Sequence, residues 1–376
     1  MTVPRPVVRE MLRPFYRVAL QPRMPWPVQR TLLHGAARLQ SLPRGTEIQQ
    51  VRLADRPAER VSRGPATGSE AVLYLHGGGF TVGSPATHRV LAAHLAGAAR
   101  RSVYLLEYRL APEHPCPAAV NDAVAALEAL RHAWKHSSIA LAGDSAGGGI
   151  ALAAAQQLIA YRMTRPSALV LISPWTNPNI LAEQRRDLVV SRDWALMCAE
   201  AYLGDGDPHD HRYAPGAGPL AGLPTTYLHA NTGELLYPQC RRLAISLRDA
   251  GVDVKYAESR TLWHAAQAQA SLVSEAARSL SDIGGFLIEV WRGDHEFASL
   301  SPPHLAAGYA PGGTGASGGA DHAGEGTGDF GRAKLVDALK VIQHLLRSGG
   351  VQELTTDDRP MVLAGPWSGG SHGRIA

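Results

Sequence analysis

The sequence predicts an α/β fold: a mostly parallel sheet with helices on both faces. Three observations carry that reading. From Glu47 onward, short apolar runs alternate with longer helical segments, the pattern of strands joined by helical crossovers. Two of those runs end in glycine-containing turns, His76-Gly77-Gly78-Gly79 and Gly143-Asp144-Ser145-Ala146-Gly147. Hydrophobic residues make up 45% of the 376, enough for one large core or two modest ones. No apolar run approaches the roughly 18 residues that a membrane span needs.

In chain order, residues 7 to 20 and 27 to 41 read as two short amphipathic helices split by the proline cluster at 21 to 27. Strands are expected near 47 to 53, 71 to 76, 102 to 107, 138 to 142, 168 to 173, 225 to 230 and 252 to 257, with a further strand compatible with 57 to 63. Helices fall near 86 to 99, 117 to 134, 146 to 161, 239 to 250 and 265 to 290. The alternation lapses between Ser173 and Leu223, where only Asp193 to Tyr202 reads as helical, so this segment is expected to be an insertion above the strand ends. Beyond Glu289, residues 308 to 331 hold ten glycines in 24 positions and cannot supply a core. An amphipathic helix at 333 to 346 follows, with Leu335, Leu339, Ile342 and Leu346 on one face. Docking on the main domain, binding a partner and fraying are all open to it.

Charge is unevenly spread. Residues 1 to 46 carry eight arginines against Glu10, a local +7, which leaves −3 for the remainder of a chain at +4. A basic arm of this kind suits membrane or nucleic acid, but Pro4, Pro6, Pro14, Pro22, Pro25 and Pro27 interrupt it and no nucleic-acid motif accompanies it. A solvated helical flap is the favoured reading, without nucleic acid and without stable membrane insertion. Cys116, Cys198 and Cys240 are odd in number and lack metal-ligand spacing, so they read as buried thiols. The first residues contain no uninterrupted apolar stretch of the secretory type, and a cytoplasmic location is expected. Asp207-Pro208-His209-Asp210-His211 has the residue types of a metal site, but a loop of turn formers explains it without an ion. No metal and no cofactor are expected.

The candidate chemistry begins at Ser145, between glycines, after the apolar run Ser138 to Ala142 and before the Ala-rich helix from 146. A strand, a tight turn and a helix in that order thrust the hydroxyl out of the sheet edge, the geometry of a nucleophile elbow. A glycine-rich connection is the plain alternative. The Gly77 to Gly79 run lets backbone N–H groups converge on one point, which a developing oxyanion requires, with the Ala146 N–H as a further donor. A phosphate loop is the competing reading, and no Gly-Lys-Ser/Thr spacing supports it. His264, in the loop after the strand at 252 to 257, stands where the general base of such a site belongs, and the acid belongs after the strand at 225 to 230. Glu234 is the carboxylate of that loop, with capping of the following helix as its other explanation.

These residues together resemble the hormone-sensitive-lipase-like esterases, also called bacterial family IV, within the α/β-hydrolase fold. The resemblance rests on His76-Gly-Gly-Gly-Phe80, Tyr108-Arg-Leu-Ala-Pro-Glu-His-Pro115, Gly143-Asp-Ser-Ala-Gly-Gly148, Ser173-Pro-Trp175, Gly222-Leu-Pro224 and Trp263-His264, and covers roughly residues 30 to 290. It implies an eight-stranded core at 47 to 290, helical cap segments at 1 to 46 and 177 to 222, and a C-terminal extension at 291 to 376 on which it is silent. It also implies hydrolysis of short- to medium-chain acyl esters without cofactor, through Ser145, Glu234 and His264, with Gly78, Gly79 and Ala146 as the oxyanion hole. Many similar proteins carry Asp where this chain has Glu234, and a further Asp where it reads Pro238-Gln239. Tyr108, Glu113 and His114 are expected to be structural, and Asp144 to shape the elbow. Lactone or aryl ester hydrolysis fits the same motifs, and a homodimer is compatible with them. A non-hydrolytic ligand receptor and a membrane-associated lipase are the readings from other classes; His264 argues against the first.

Overall fold

The computed structural model describes residues 3–65, 68–184 and 186–293. The glycine-rich segment at 308 to 331 and the helix expected at 333 to 346 lie outside these residues. Eight strands form one sheet: β1 (Thr46–Leu53), β2 (Arg56–Arg63), β3 (Glu70–Leu75), β4 (Ser102–Leu106), β5 (Ser138–Asp144), β6 (Ala168–Ile172), β7 (Thr226–Asn231) and β8 (Val254–Ser259). Their order is β1-β2-β4-β3-β5-β6-β7-β8. β2 pairs antiparallel with β1 and β4, and every later pair is parallel. The expected strands are all present, including the one at 57 to 63.

Parallel pairing places helices on both faces of the sheet, so central strands are apolar throughout. β4 and β6 are buried at every position, and β3 at all but its first. α3 (Pro85–Ala99) and α8 (Ser274–Arg292) pack together, while α4 (Ala118–His132) lies against α5 (Ala146–Ala160). α7 (Tyr237–Asp249) joins β7 to β8. Every parallel strand points the same way, so the loops after β3, β5, β7 and β8 gather at one edge.

α5 approaches the sheet more closely than a side chain permits. A Cβ on Gly147 would overlap the carbonyl oxygen of Leu75 in β3, and one on Gly143 would overlap the carbonyl of Gly147. Glycine at these two positions is therefore a packing requirement.

One expectation is corrected. The helix read at 265 to 290 is broken: Ala265 takes φ 51, residues Ala266–Gln269 form a 3-10 turn, and α8 starts only at Ser274. Alanine-rich composition favours a helix here, but tertiary bonds override it. Gln267 Nε2 donates to Ser279 Oγ at 3.0 Å, and Trp263 Nε1 donates to Gln269 Oε1 at 3.1 Å.

The N-terminal segment forms α1 (Arg5–Ala19) and α2 (Trp26–Ala37), each with proline in its first turn, where its missing N–H has no partner to lose. Between β6 and β7 lie α6 (Arg192–Leu203) and a 3-10 turn at Pro215–Ala217. Specific bonds hold α1 and α2 to the rest. Buried Gln29 donates to the Met24 carbonyl at 2.7 Å and accepts from Trp194 Nε1 of α6 at 2.8 Å. Arg30 donates to the carbonyls of Thr81 and Ala111 and pairs with Glu113 at 2.7 Å.

Two glycine substitutions separate packing from propensity. Gly147→Ala is expected to lose about 1–3 kcal/mol through overlap with the Leu75 carbonyl. Gly285→Ala on α8, where an added Cβ meets nothing within 4 Å, is expected to be neutral or to gain about 0.5–1 kcal/mol. Urea denaturation midpoints read both; equal midpoints for the two variants would contradict the close approach of α5.

Candidate active site

β5 runs directly into Ser145, whose backbone sits at φ 52, ψ −122, a conformation that costs a non-glycine residue of order 1–3 kcal/mol. Its neighbours pin it there. The Ser145 N–H donates to the Ile172 carbonyl at the end of β6 (2.9 Å), and its carbonyl accepts from the Trp175 N–H (2.8 Å) and the Gly149 N–H (3.2 Å). The result is a hydroxyl standing at the N-terminus of α5, where the helix dipole favours negative charge.

Ser145 Oγ lies 2.8 Å from His264 Nε2, and His264 Nδ1 lies 3.1 Å from Glu234 Oε2. A carboxylate accepts, so Nδ1 donates to Glu234 and Nε2 is left to accept the serine proton. All three side chains are buried. Glu234 is not a surface cap: Asn231 donates to both its oxygens, from the backbone at 3.2 Å and from Nδ2 at 3.3 Å. The same Nδ2 donates to the Trp263 carbonyl at 3.0 Å, tying the acid loop to the histidine loop.

Electrostatics follow from burial and these contacts. Burial by itself lowers the His264 pKa, but the hydrogen bond and charge of Glu234, with the charges of Asp187 and Asp144, outweigh it and leave the imidazole above its ordinary value. Burial pushes the Glu234 carboxyl up, and the hydrogen bond and charge of His264, with the bonds from Ser173 and the Asn231 backbone, together more than reverse this, so it lies below the ordinary carboxylate value. The pair therefore favours its ionised form.

Facing Ser145 is the glycine run after β3. Gly78 takes φ 130, and a Cβ there would overlap the Val82 carbonyl, so the turn admits only glycine. Gly78 and Gly79 line the same cavity as Ser145 and His264. Ala146 is the first residue of α5, whose leading N–H groups have no intrahelical acceptor. Asp144 links the run to the elbow. Its Oδ1 accepts the Gly77 N–H at 3.0 Å and the Tyr74 hydroxyl at 3.0 Å, and His88 Nε2 lies 3.1 Å away. Burial raises the Asp144 carboxyl, and His88, Tyr74 and His264 together bring it below its ordinary value. His76 is pushed down to about 3, first by burial and then by the His88 charge, and it donates from Nδ1 to the Gly77 carbonyl at 2.9 Å. Tyr108 stacks on His76 with ring centres 4.3 Å apart and donates to its carbonyl at 2.7 Å. Glu113 meets Arg30 rather than the cavity.

The cavity above Ser145 has a volume of about 120 Å³. Its walls come from α1 and α2 (Phe15, Tyr16, Leu33) and from the segment before and within α6 (Val189, Val190, Trp194). Sequence reasoning marks Phe15 and Tyr16 as aromatics in need of an apolar partner, but it did not single out Leu33, Val189, Val190 or Trp194, nor Asp187, a partly buried carboxylate whose Oδ2 accepts the Leu235 N–H at 2.9 Å. Only a carboxylate in an otherwise apolar Asp187-Leu-Val-Val190 run hinted at it. In the loop at 207 to 211, Asp207 and Asp210 accept the N–H groups of His209 and Arg212, as turn formers do, and Asp210 pairs with Arg212. Among the described residues no group of three His, Cys, Asp or Glu side chains is placed to hold a metal ion. All three cysteines are free; Cys198 and Cys240 are buried, whereas Cys116 is only half-buried, contrary to expectation.

Residues 72–268 match the family model described as the alpha/beta hydrolase fold. Among curated proteins, the chain is 34% identical to Esterase LipU of Mycobacterium tuberculosis, over 71% of this chain and 95% of that protein. It is 36% identical to an acetyl-hydrolase of Streptomyces hygroscopicus, over 57% of this chain and 74% of that one. Among solved structures, an esterase from the bacterial hormone-sensitive lipase family superposes with a TM-score of 0.72 at 32% identity, covering 77% of this chain and 99% of the other.

The charge balance at His264 is directly measurable. An NMR titration should place its midpoint above the ordinary 6.5, and Glu234→Gln should move that midpoint down, because the first partner stabilising the imidazolium is gone. A midpoint below 6.5 in the unsubstituted protein would mean that burial dominates.

Proposed function

From a chain that belongs to the α/β-hydrolase fold family, on its bacterial hormone-sensitive-lipase-like branch, and is a carboxylic ester hydrolase, we propose that Ser145 is the nucleophile, His264 the general acid and base, and Glu234 the acid that orients it. The observation that carries this reading is the continuous chain from Ser145 Oγ through His264 to Glu234, at 2.8 Å and 3.1 Å, opening on one cavity. His264 Nε2 takes the Ser145 proton as Oγ attacks the ester carbonyl. The imidazolium so formed is stabilised by Glu234, which keeps its own charge.

The tetrahedral oxyanion is assigned to the N–H groups of Gly78, Gly79 and Ala146. Donors already aimed at the site cost no reorganisation as charge develops, and one such donor is worth roughly 10²–10³ in rate. His264 then protonates the leaving alcohol, and water repeats the sequence on the acyl-enzyme. No step calls on a cofactor. The substrate class proposed is a short- to medium-chain acyl ester, supported by the small apolar cavity closed by Phe15, Tyr16 and Trp194. Residues 1 to 46 and 177 to 222 are proposed as the cap over the catalytic domain at 47 to 290, since α1, α2 and the stretch from Val189 to Trp194 supply the cavity's upper wall. Among the described residues no helix is long and apolar enough to cross a membrane. A cytoplasmic location is proposed, supported by the three free thiols.

A p-nitrophenyl ester series tests the assignment. Ser145→Ala is expected to lower kcat on the order of 10⁶-fold and to abolish labelling by a fluorophosphonate. Glu234→Gln is expected to lower kcat by about 10⁴-fold, and turnover should decline as the acyl chain lengthens. In the unsubstituted enzyme kcat/KM should fall as pH drops through the His264 pKa, so the acid limb lies above pH 6.5. A folded Ser145→Ala protein with undiminished turnover would remove the nucleophile assignment.

A further inference from the structure

We propose that Asp187 is a positioning residue of this site: its carboxylate clamps the cavity wall to the loop that carries Glu234 and places a further negative charge in the field of His264. The inference rests on the reading of Ser145, His264 and Glu234 given above.

Geometry carries it. Asp187 lies between β6 and α6, remote in sequence from β7, yet its two oxygens serve both regions. Oδ1 accepts the N–H groups of Val189 and Val190, each at 2.7 Å, and folds that stretch into a turn closed by the Asp187 N–H to the Val190 carbonyl at 3.0 Å. Both valines line the cavity. Oδ2 accepts the N–H of Leu235, the residue after Glu234. One carboxylate thus ties the wall that meets the substrate to the acid loop behind the histidine. A neutral amide in its place would turn a donor toward the N–H of Val189 and Val190 or that of Leu235, because all three partners are donors.

Charge is the second element. The groups facing His264 are Glu234 from the loop after β7, Asp187 from the segment before α6, and Asp144 from the end of β5. Behind them, His88 of α3 is set against Asp144, and His229 of β7 is coupled to Glu234. Burial pushes the Asp187 carboxyl above its ordinary range, while His264 and its three N–H donors pull the other way. Its negative charge favours the imidazolium that forms when Ser145 gives up its proton.

The test compares Asp187→Asn with Asp187→Glu in the full-length enzyme, with thermal melting to show folding. Asp187→Asn should lower kcat by about tenfold or more, by analogy with the loss on removing partners that orient metal-ligating side chains, with KM changing less. It should also shift the acid limb of kcat/KM to lower pH. Asp187→Glu, which keeps the charge on a longer arm, should leave the acid limb near that of the unsubstituted enzyme even where kcat falls. A role confined to scaffolding would not move the limb, so a folded Asn variant with an unchanged limb, or a loss confined to KM, overturns the proposal. If the Asn variant does not fold, the unsubstituted enzyme decides: the His264 NMR signals should show a second inflection where Asp187 titrates, and its absence overturns the proposal. Glu234→Gln run in parallel keeps the two readings apart, since normal turnover in that variant removes the triad acid whatever Asp187 does.

Discussion

The site depends on a serine held where its backbone would not choose to be. Ser145 at φ 52, ψ −122 is unfavourable for any residue with a Cβ, and three backbone bonds to Ile172, Trp175 and Gly149 fix it there. Those bonds are available because β6 lies beside β5 and because α5 rides directly on the sheet, which Gly143 and Gly147 permit. The strained turn is what aims Oγ at His264 rather than along the helix. Packing of the core and geometry of the hydroxyl are therefore one constraint seen from two sides.

A buried imidazole would ordinarily lose its basicity, and the surroundings of His264 prevent this with the charges of three carboxylates. Each carboxylate is in turn satisfied by donors: Glu234 by Asn231, Asp187 by Val189, Val190 and Leu235, and Asp144 by Gly77 and Tyr74. Unpaired, such groups would protonate rather than remain charged in the interior. The backbone N–H bonds do double duty, since they also set the loops from which the carboxylates project. Asp144 is the clearest case, because its bond to the Gly77 N–H registers the glycine run against the elbow.

How much of this the sequence revealed follows from where the information lies. Strands such as Ala168–Ile172, the elbow around Ser145 and the run at 76 to 79 were legible because their signals are local: apolar runs, glycines at fixed offsets, and chain order. Glu234 was legible as the carboxylate of the loop after β7, but its burial and its Asn231 partner were not. Asp187 and Gln29 were not legible, because a lone polar residue takes its meaning from partners 48 and 165 residues away in the chain. The break at Ala265 was hidden for the opposite reason: an alanine-rich stretch declares a helix, and only bonds from Gln267 to Ser279 and from Trp263 to Gln269 overrule it.

At Pro238-Gln239, where the resemblance implies a further aspartate in many similar proteins, the glutamine has a physical account. Gln239 Oε1 accepts the N–H groups of Thr176 (2.8 Å) and Asn177 (3.0 Å), and its Nε2 donates to the Ile180 carbonyl at 3.3 Å. A carboxylate accepts both N–H groups but has nothing to donate to Ile180. The amide therefore fastens the start of the 177 to 222 segment to α7 at both its donor and its acceptor ends, without adding another negative charge to a region that already holds Glu234 and Asp187. With that segment fastened at Gln239 and again at Asp187, the wall of the cavity and the loop of the acid share their anchors.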